Sequence, residues 1–150
     1  MIRKAEFSDV PAMLEIGRRF HSATLYATYG ATFSPEKLGE SLSNYLSSSD
    51  ACVLVAEKND VLVGVACAVK TQLYMSDDDV AVELFWWVEP EARGGTLAIR
   101  LMNQLEQWAA QAGCKCMAMS SMATIEGSPA DEIYSRRGYR NIEKSWIKGL

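Results

Sequence analysis

The segment Val88-Glu89-Pro90-Glu91-Ala92-Arg93-Gly94-Gly95-Thr96-Leu97-Ala98 sets an arginine and two glycines between an apolar run and an amphipathic one. With a strand before it and a helix after it, this turn points several free backbone N–H groups outward at a helix N-terminus, which attracts an anion. Gly94 and Gly95 let main chain approach a ligand closely, and Arg93 offers a charge-assisted contact to a phosphate. On these residues alone the ligand is something that carries phosphates, and an ordinary turn with a solvated arginine is the plainer alternative. Glu83 is the second residue suited to chemistry, as the only charged side chain inside the apolar run Val80 to Val88. Burial there raises a carboxyl pKa and makes the group a better base; a structural glutamate bonded to a neighbouring loop or helix is the alternative. Metal chemistry has little to work with. There is one histidine, His21, and the cysteines Cys52, Cys67, Cys114 and Cys116 have C-x-C as their closest spacing, which is neither a zinc knuckle nor a redox pair. Cys52, Cys67 and Cys116 lie in apolar stretches and read as buried, reduced thiols.

The elements that must position these residues follow from periodicity and punctuation. Ile2 to Ala5 is short and extended. Ser8-Asp9-Val10-Pro11 announces a helix over about Val10 to Ser22, and Ser34-Pro35-Glu36 a second with Leu38, Leu42, Tyr45 and Leu46 on its apolar face, the intervening Tyr26 to Phe33 being a loop. Ala51 to Ala56 and Val61 to Val69 read as an antiparallel hairpin turned at Glu57 to Asp60. Val80 to Val88 is β-branched and aromatic almost throughout, as in a strand covered on both faces. Strict alternation along it puts Glu83, Phe85 and Trp87 on one face and Val82, Leu84, Trp86 and Val88 on the other, so that Phe85 and Trp87 should line any cleft that Glu83 faces. A helix follows from Leu97 to Ala112, stopped by Gly113, then a strand from Cys114 to Ser120. A short helix opens at Ser128 and reaches about Arg136, and a last strand spans Tyr139 to Lys148. The strand–helix–strand unit from Val80 to Ser120 requires a right-handed crossover with parallel strands.

With 150 residues, 49% of them hydrophobic, and no linker, residues 1–150 are expected to form one domain. The net charge of -4 argues against a nucleic-acid partner. The chain has no apolar run of about 18 residues and no apolar segment at its N-terminus, so no membrane span is expected and the protein reads as cytoplasmic.

Two motifs resemble those of the GNAT superfamily of acyl-CoA-dependent N-acetyltransferases. The first is Gln/Arg-x-x-Gly-x-Gly/Ala, often preceded by Val-x-Pro; here Val88-Glu89-Pro90 leads into Arg93-Gly94-Gly95-Thr96-Leu97-Ala98, with Thr96 in place of the usual glycine. The second is Asn-x-x-Ala-x-x-Leu-Tyr-x-x-x-Gly-Phe, matched by Gly127 to Tyr139 through Ala130, Ile133, Tyr134, Gly138 and Tyr139, with Gly127 standing where Asn is usual. The resemblance implies a mixed α/β fold (α+β), a central mixed sheet flanked by helices, and acetyl-CoA as co-substrate with no metal. It implies a pyrophosphate site over Arg93, Gly94, Gly95, Thr96, Leu97 and Ala98, and a pantetheine arm along the main chain of Trp86, Trp87 and Val88. Tyr134 would be the general acid for the leaving thiolate and Glu83 the base, an ordered water being the alternative base. The acceptor, a primary amine of a small molecule, peptide or protein, would meet Phe85 and, in the first inter-helix loop, Tyr29, near His21, Tyr26 and Phe33. Asp77-Asp78-Asp79 could attract a cationic acceptor and Arg136-Arg137 the 3′-phosphate, although a solvated loop and a helix-dipole role suffice for each. A homodimer is left open by the family and the aromatic content. The rival readings are a non-catalytic module of this family that binds CoA or a protein partner, suggested by Thr96 and Gly127, and a nucleotide-binding βαβ domain, which lacks its G-x-G-x-x-G spacing here.

Overall fold

The computed structural model describes residues 1–122 and 129–150. Its elements are β1 (Ile2–Lys4), α1 (Val10–Ser22), α2 (Leu25–Thr28), α3 (Pro35–Leu46), β2 (Ala51–Lys58), β3 (Val61–Gln72), β4 (Asp79–Val88), α4 (Leu97–Gln111), β5 (Met117–Ala118) and α5 (Ala130–Arg136). The strands form one sheet in the order β1-β2-β3-β4-β5. The first three pairings are antiparallel and β4–β5 is parallel, as a mixed sheet requires.

Each side of the sheet is covered, which explains the near-continuous apolar runs of β2 and β3. Val53, Val55, Val65 and Cys67 pack toward α1 and α3 with Met13, Ile16 and Leu42. Their neighbours Cys52, Leu54, Ala56, Ala66 and Ala68 pack toward α4 with Leu101 and Leu105. The β2–β3 hairpin turns on Asn59 and Asp60, both at positive φ (52° and 61°), a pairing whose twist matches that of the strands. Thr24 accepts a bond from Ala27 N at 3.4 Å, and this cap opens the short α2 inside the segment expected to be a loop. Gly113 ends α4 at φ 79°.

Three expectations change. β5 pairs only at Met117–Ala118, shorter than the strand expected over Cys114 to Ser120, and Cys116 is exposed rather than buried. Residues 139–150 form no strand. A strand needs an edge to pair with and a face to bury; this segment leaves Ile142 81% and Trp146 91% exposed, and β5 offers it only a two-residue edge. The alternation along β4 is also broken. Phe85 lies opposite Cys67 and Glu83 opposite Ala68, so Leu84 is an extra residue in the ladder, a β-bulge. Gly127 and Ser128 lie outside the described residues.

Candidate active site

β4 and β5 are bonded at Ala81–Met117 and Val82–Ala118 and then part. From Glu83 to Val88 that edge of β4 faces no strand among the described residues, and a cavity of about 630 Å³ opens there. Its lining runs from Phe20 on α1 across Glu83, Leu84, Trp86, Trp87 and Val88 to the turn 92–95, α4, the residues after β5, and α5. The bulge at Leu84 explains how the cavity draws from both faces. Phe85 and Trp87 pack on the α1/α3 side, while Trp86 and Val88 pack on the α4 side. Glu83 sits opposite Ala68, a member of the α4-side cluster, so it does not share a face with Phe85 and Trp87 as alternation alone predicts.

The turn before α4 is open where a ligand would have to enter. Gly94 has φ 87°, a conformation that L side chains rarely adopt, and a Cβ at either Gly94 or Gly95 would meet nothing within 4 Å. Thr96, in the position usually held by glycine, has φ −87° and needs no glycine there; it is the N-cap residue of α4, and its side chain makes no cap bond. The first bond of the helix ladder runs from Arg100 N to Thr96 O at 2.9 Å, so the N–H groups of Leu97, Ala98 and Ile99 have no intrahelical acceptor. These features fit the phosphates of CoA. Arg93 is partly engaged: its Nε donates to Val88 O at 2.8 Å and its guanidinium stands 4.5 Å from the centroid of the Trp87 ring. It fastens the turn to the end of β4.

Glu83 and Tyr134 meet through one residue after β5. Ser120 N donates to Glu83 Oε2 at 3.1 Å, and Tyr134 OH donates to Ser120 O at 2.8 Å. Burial pushes the Glu83 carboxyl up to about 7, the Ser120 N–H opposing part of that shift. Burial, then the nearby Glu83 and Tyr139, raise the Tyr134 phenol, which keeps it protonated at neutral pH and able to donate. Tyr134 is itself buried, between Trp86 and Tyr139 with ring centroids at 5.8 and 5.4 Å. The indole N–H groups of Trp86 and Trp87 are buried without a hydrogen-bond partner, and both residues line the cavity.

Other residues singled out in the sequence lie elsewhere. Phe85 packs on Phe20 (6.1 Å between centroids) beneath the cavity and is not among its lining residues. Tyr29, at the end of α2, is half exposed, and its ring lies against Gly149. His21 packs against Phe33 at 5.7 Å. Arg136 pairs with Glu132, and Arg137 with Glu106 at 2.5 Å. Among the described residues no cluster of His, Cys, Asp or Glu could hold a metal ion, and no helix is long and apolar enough to cross a membrane. Sequence reading missed Phe20, Leu84, Ser120, Ser121 and Met122 as lining residues. Phe20 could be read only as part of the α1 apolar stripe, and the others depend on where β4 and β5 part.

The sequence profile of the acetyltransferase (GNAT) family matches residues 18–139. A search of curated proteins by sequence gives no significant match. Solved structures similar to this one include the aminoglycoside 6′-N-acetyltransferase AAC(6′)-IG from Acinetobacter haemolyticus, with TM-score 0.75 and 18% identity over 100% of this chain and 97% of that one. AAC(6′)-Iy in complex with a CoA-linked bisubstrate analogue is similar at TM-score 0.72 and 16% identity, over 100% and 97% of the two chains. An acetyltransferase from Clostridium acetobutylicum solved with acetyl-CoA gives TM-score 0.75 and 15% identity, over 99% and 94%. At these identities the likeness is one of fold.

Proposed function

The chain belongs to the acetyltransferase (GNAT) family, and from that premise we propose that it moves an acetyl group from acetyl-CoA to a primary amine by direct transfer. The observation that carries this reading is one cavity lined by the open turn before α4, Glu83 and Ser120, with Tyr134, which is not among the lining residues, hydrogen-bonded to the same Ser120 as Glu83. A module that only bound CoA would need the turn but not that pair.

Acetyl-CoA supplies the activated acyl group. Its phosphates would be held by the N–H groups of Leu97, Ala98 and Ile99 and by the open main chain at Gly94 and Gly95, and its pantetheine arm by the strandless edge of β4 from Trp86 to Val88. Glu83, with a pKa of about 7, takes the proton of the acceptor ammonium and leaves a neutral amine to attack the thioester carbonyl. The C–N bond forms as the C–S bond breaks, and the Tyr134 hydroxyl gives its proton to the departing sulfur. The second proton shed by the newly acylated nitrogen returns to the Tyr134 oxygen and Glu83 releases its own to solvent, so the sum is amide, free thiol and one released proton.

Thermal melting with and without acetyl-CoA, then thiol release against an amine panel, tests this reading. Acetyl-CoA should raise the melting temperature, and Tyr134→Phe should lower kcat by about 10²-fold while leaving that stabilisation intact. Stabilisation without turnover against the whole panel, unchanged in Tyr134→Phe, would instead favour the binding module.

A further inference from the structure

The acceptor half of the cavity carries information about what kind of amine it takes. Resting on the acetyltransferase reading, we propose that the acceptor is a small monoamine whose single nitrogen sits on an apolar, preferably aromatic, body, rather than a polycation or a peptide. Among the described residues lining the cavity, Glu83 and Arg93 are the only charged ones. Arg93 is turned onto Val88 O and the Trp87 ring, so Glu83 is the one carboxylate left to meet an acceptor among the described lining residues. Phe20, Leu84, Trp87 and Met122 add apolar wall to the same cavity.

Such a chamber pairs one ammonium and desolvates any other. A second or third ammonium would lie against hydrocarbon and indole with no further carboxylate among the described lining residues to meet it, and an unpaired charge is the most costly group to bury. A peptide would bring several amide groups to the same walls, where the uncharged polar side-chain groups among the described lining residues are few: Ser120, Ser121 and the indole N–H groups of Trp86 and Trp87. An aromatic or alicyclic body meets apolar surface of its own kind along Phe20, Leu84 and Met122. The acidic groups elsewhere do not change this balance. Glu89 is bonded to Arg19 at 2.6 Å, Asp79 stands 3.7 Å from Lys70, and neither lines the cavity. Size points the same way, because about 630 Å³ must also hold the end of the pantetheine arm.

The test measures kcat/KM by thiol release from acetyl-CoA, at one pH near 8, for 2-phenylethylamine and cyclohexylmethylamine against neamine, spermidine and a lysine-containing peptide. The monoamines should exceed the others by about 100-fold. In Met122→Glu, which adds a second carboxylate to the wall, the preference for phenylethylamine over spermidine should narrow by about 10-fold, with acetyl-CoA still raising the melting temperature as a check on folding. Phe20→Ala should lower kcat/KM for phenylethylamine by about 10-fold with the same check. Neamine, spermidine or the peptide matching the monoamines would overturn the acceptor class while leaving acetyl transfer in place. An unchanged preference in Met122→Glu would also count against the proposal. Absence of both acetyl-CoA stabilisation and thiol release with every amine would remove the acetyltransferase reading, and the acceptor class with it.

Discussion

β3 has a strand on each side, β2 over Ala51–Lys58 and β4 over Asp79–Val88, whereas β4 loses its outer neighbour after Val82. The two regions handle polar groups differently as a result. In the β2–β3 region main-chain groups are paired along the ladder and the side chains between sheet and helices are apolar, with Val55, Val65, Leu42 and Leu101 fully buried. Where β4 and β5 part, a half-buried carboxyl has no basic partner among the described residues, two indole N–H groups are unpaired, and a helix N-terminus has no side-chain cap. Each of these is a cost in a bare fold and a binding or catalytic asset when a ligand arrives. The difference teaches that stability here is concentrated in the antiparallel half, which holds open a half that is left incomplete.

Substitutions can break this contrast in either direction. The largest effect is expected for Glu83→Gln, which should reduce kcat/KM by about 10²–10⁴-fold. In the wild type, the rising limb of kcat/KM against pH should have its midpoint near the Glu83 pKa of about 7. The same substitution should stabilise the protein. A carboxyl whose folded pKa is raised from 4.5 to about 7 binds more protons folded than unfolded, so wild-type stability falls as pH rises through that window and stays lowered above it. Denaturant melts of Glu83→Gln should therefore match wild type below pH about 4.5 and be more stable by on the order of 1–3 kcal/mol above pH about 7. A lowered stability at pH 8 would show that the carboxylate is held by something other than burial and the Ser120 N–H.

Next comes the packed half. Leu42→Ala on α3 should cost about 3 kcal/mol in urea denaturation and leave kcat/KM of the folded fraction within about 2-fold, since Leu42 touches the α1/α3 cluster and not the cavity. A large loss of kcat would mean that the two regions are coupled. Smaller still is the junction between them. Glu89, buried at the end of β4, is bonded by Arg19 at 2.6 Å from α1, and its own N–H donates to Val63 O at 2.8 Å. Glu89→Gln keeps the shape but loses the ion pair and should destabilise by about 1–2 kcal/mol. KM for acetyl-CoA should rise with kcat little changed, because Glu89 fixes the start of the turn that carries Gly94. Arg19→Lys should restore less than Arg19 does, having no planar donor pair.

Much of this was legible in the residues. The positions of α1, α3, β2, β3, β4 and α4 follow from local signals such as Ser34-Pro35 and Asn59-Asp60, and from apolar runs long enough to bury two faces. The turn at Arg93-Gly94-Gly95 was legible too, because its chemistry is main-chain chemistry and glycine announces it. Less legible was anything set by strand partners. Alternation assigned Phe85 to the face of Glu83, and a single inserted residue at Leu84 undid that. The strand expected from Tyr139 to Lys148, after the stop at Gly138, finds in β5 too short an edge to pair with.

The sequence by itself determined the mixed α/β order of elements and the glycine turn at Arg93-Gly94-Gly95, because helix starts and turns depend on neighbours along the chain; Glu83 stood out as a lone charge in an apolar run, and Tyr134 through the resemblance of its motif. Only the tertiary structure decided that β4 and β5 part after Val82, that Ser120 joins Glu83 to Tyr134, and that Phe20 and Met122 line the same cavity. Those facts depend on register and on contacts between residues far apart in sequence, which no local preference encodes.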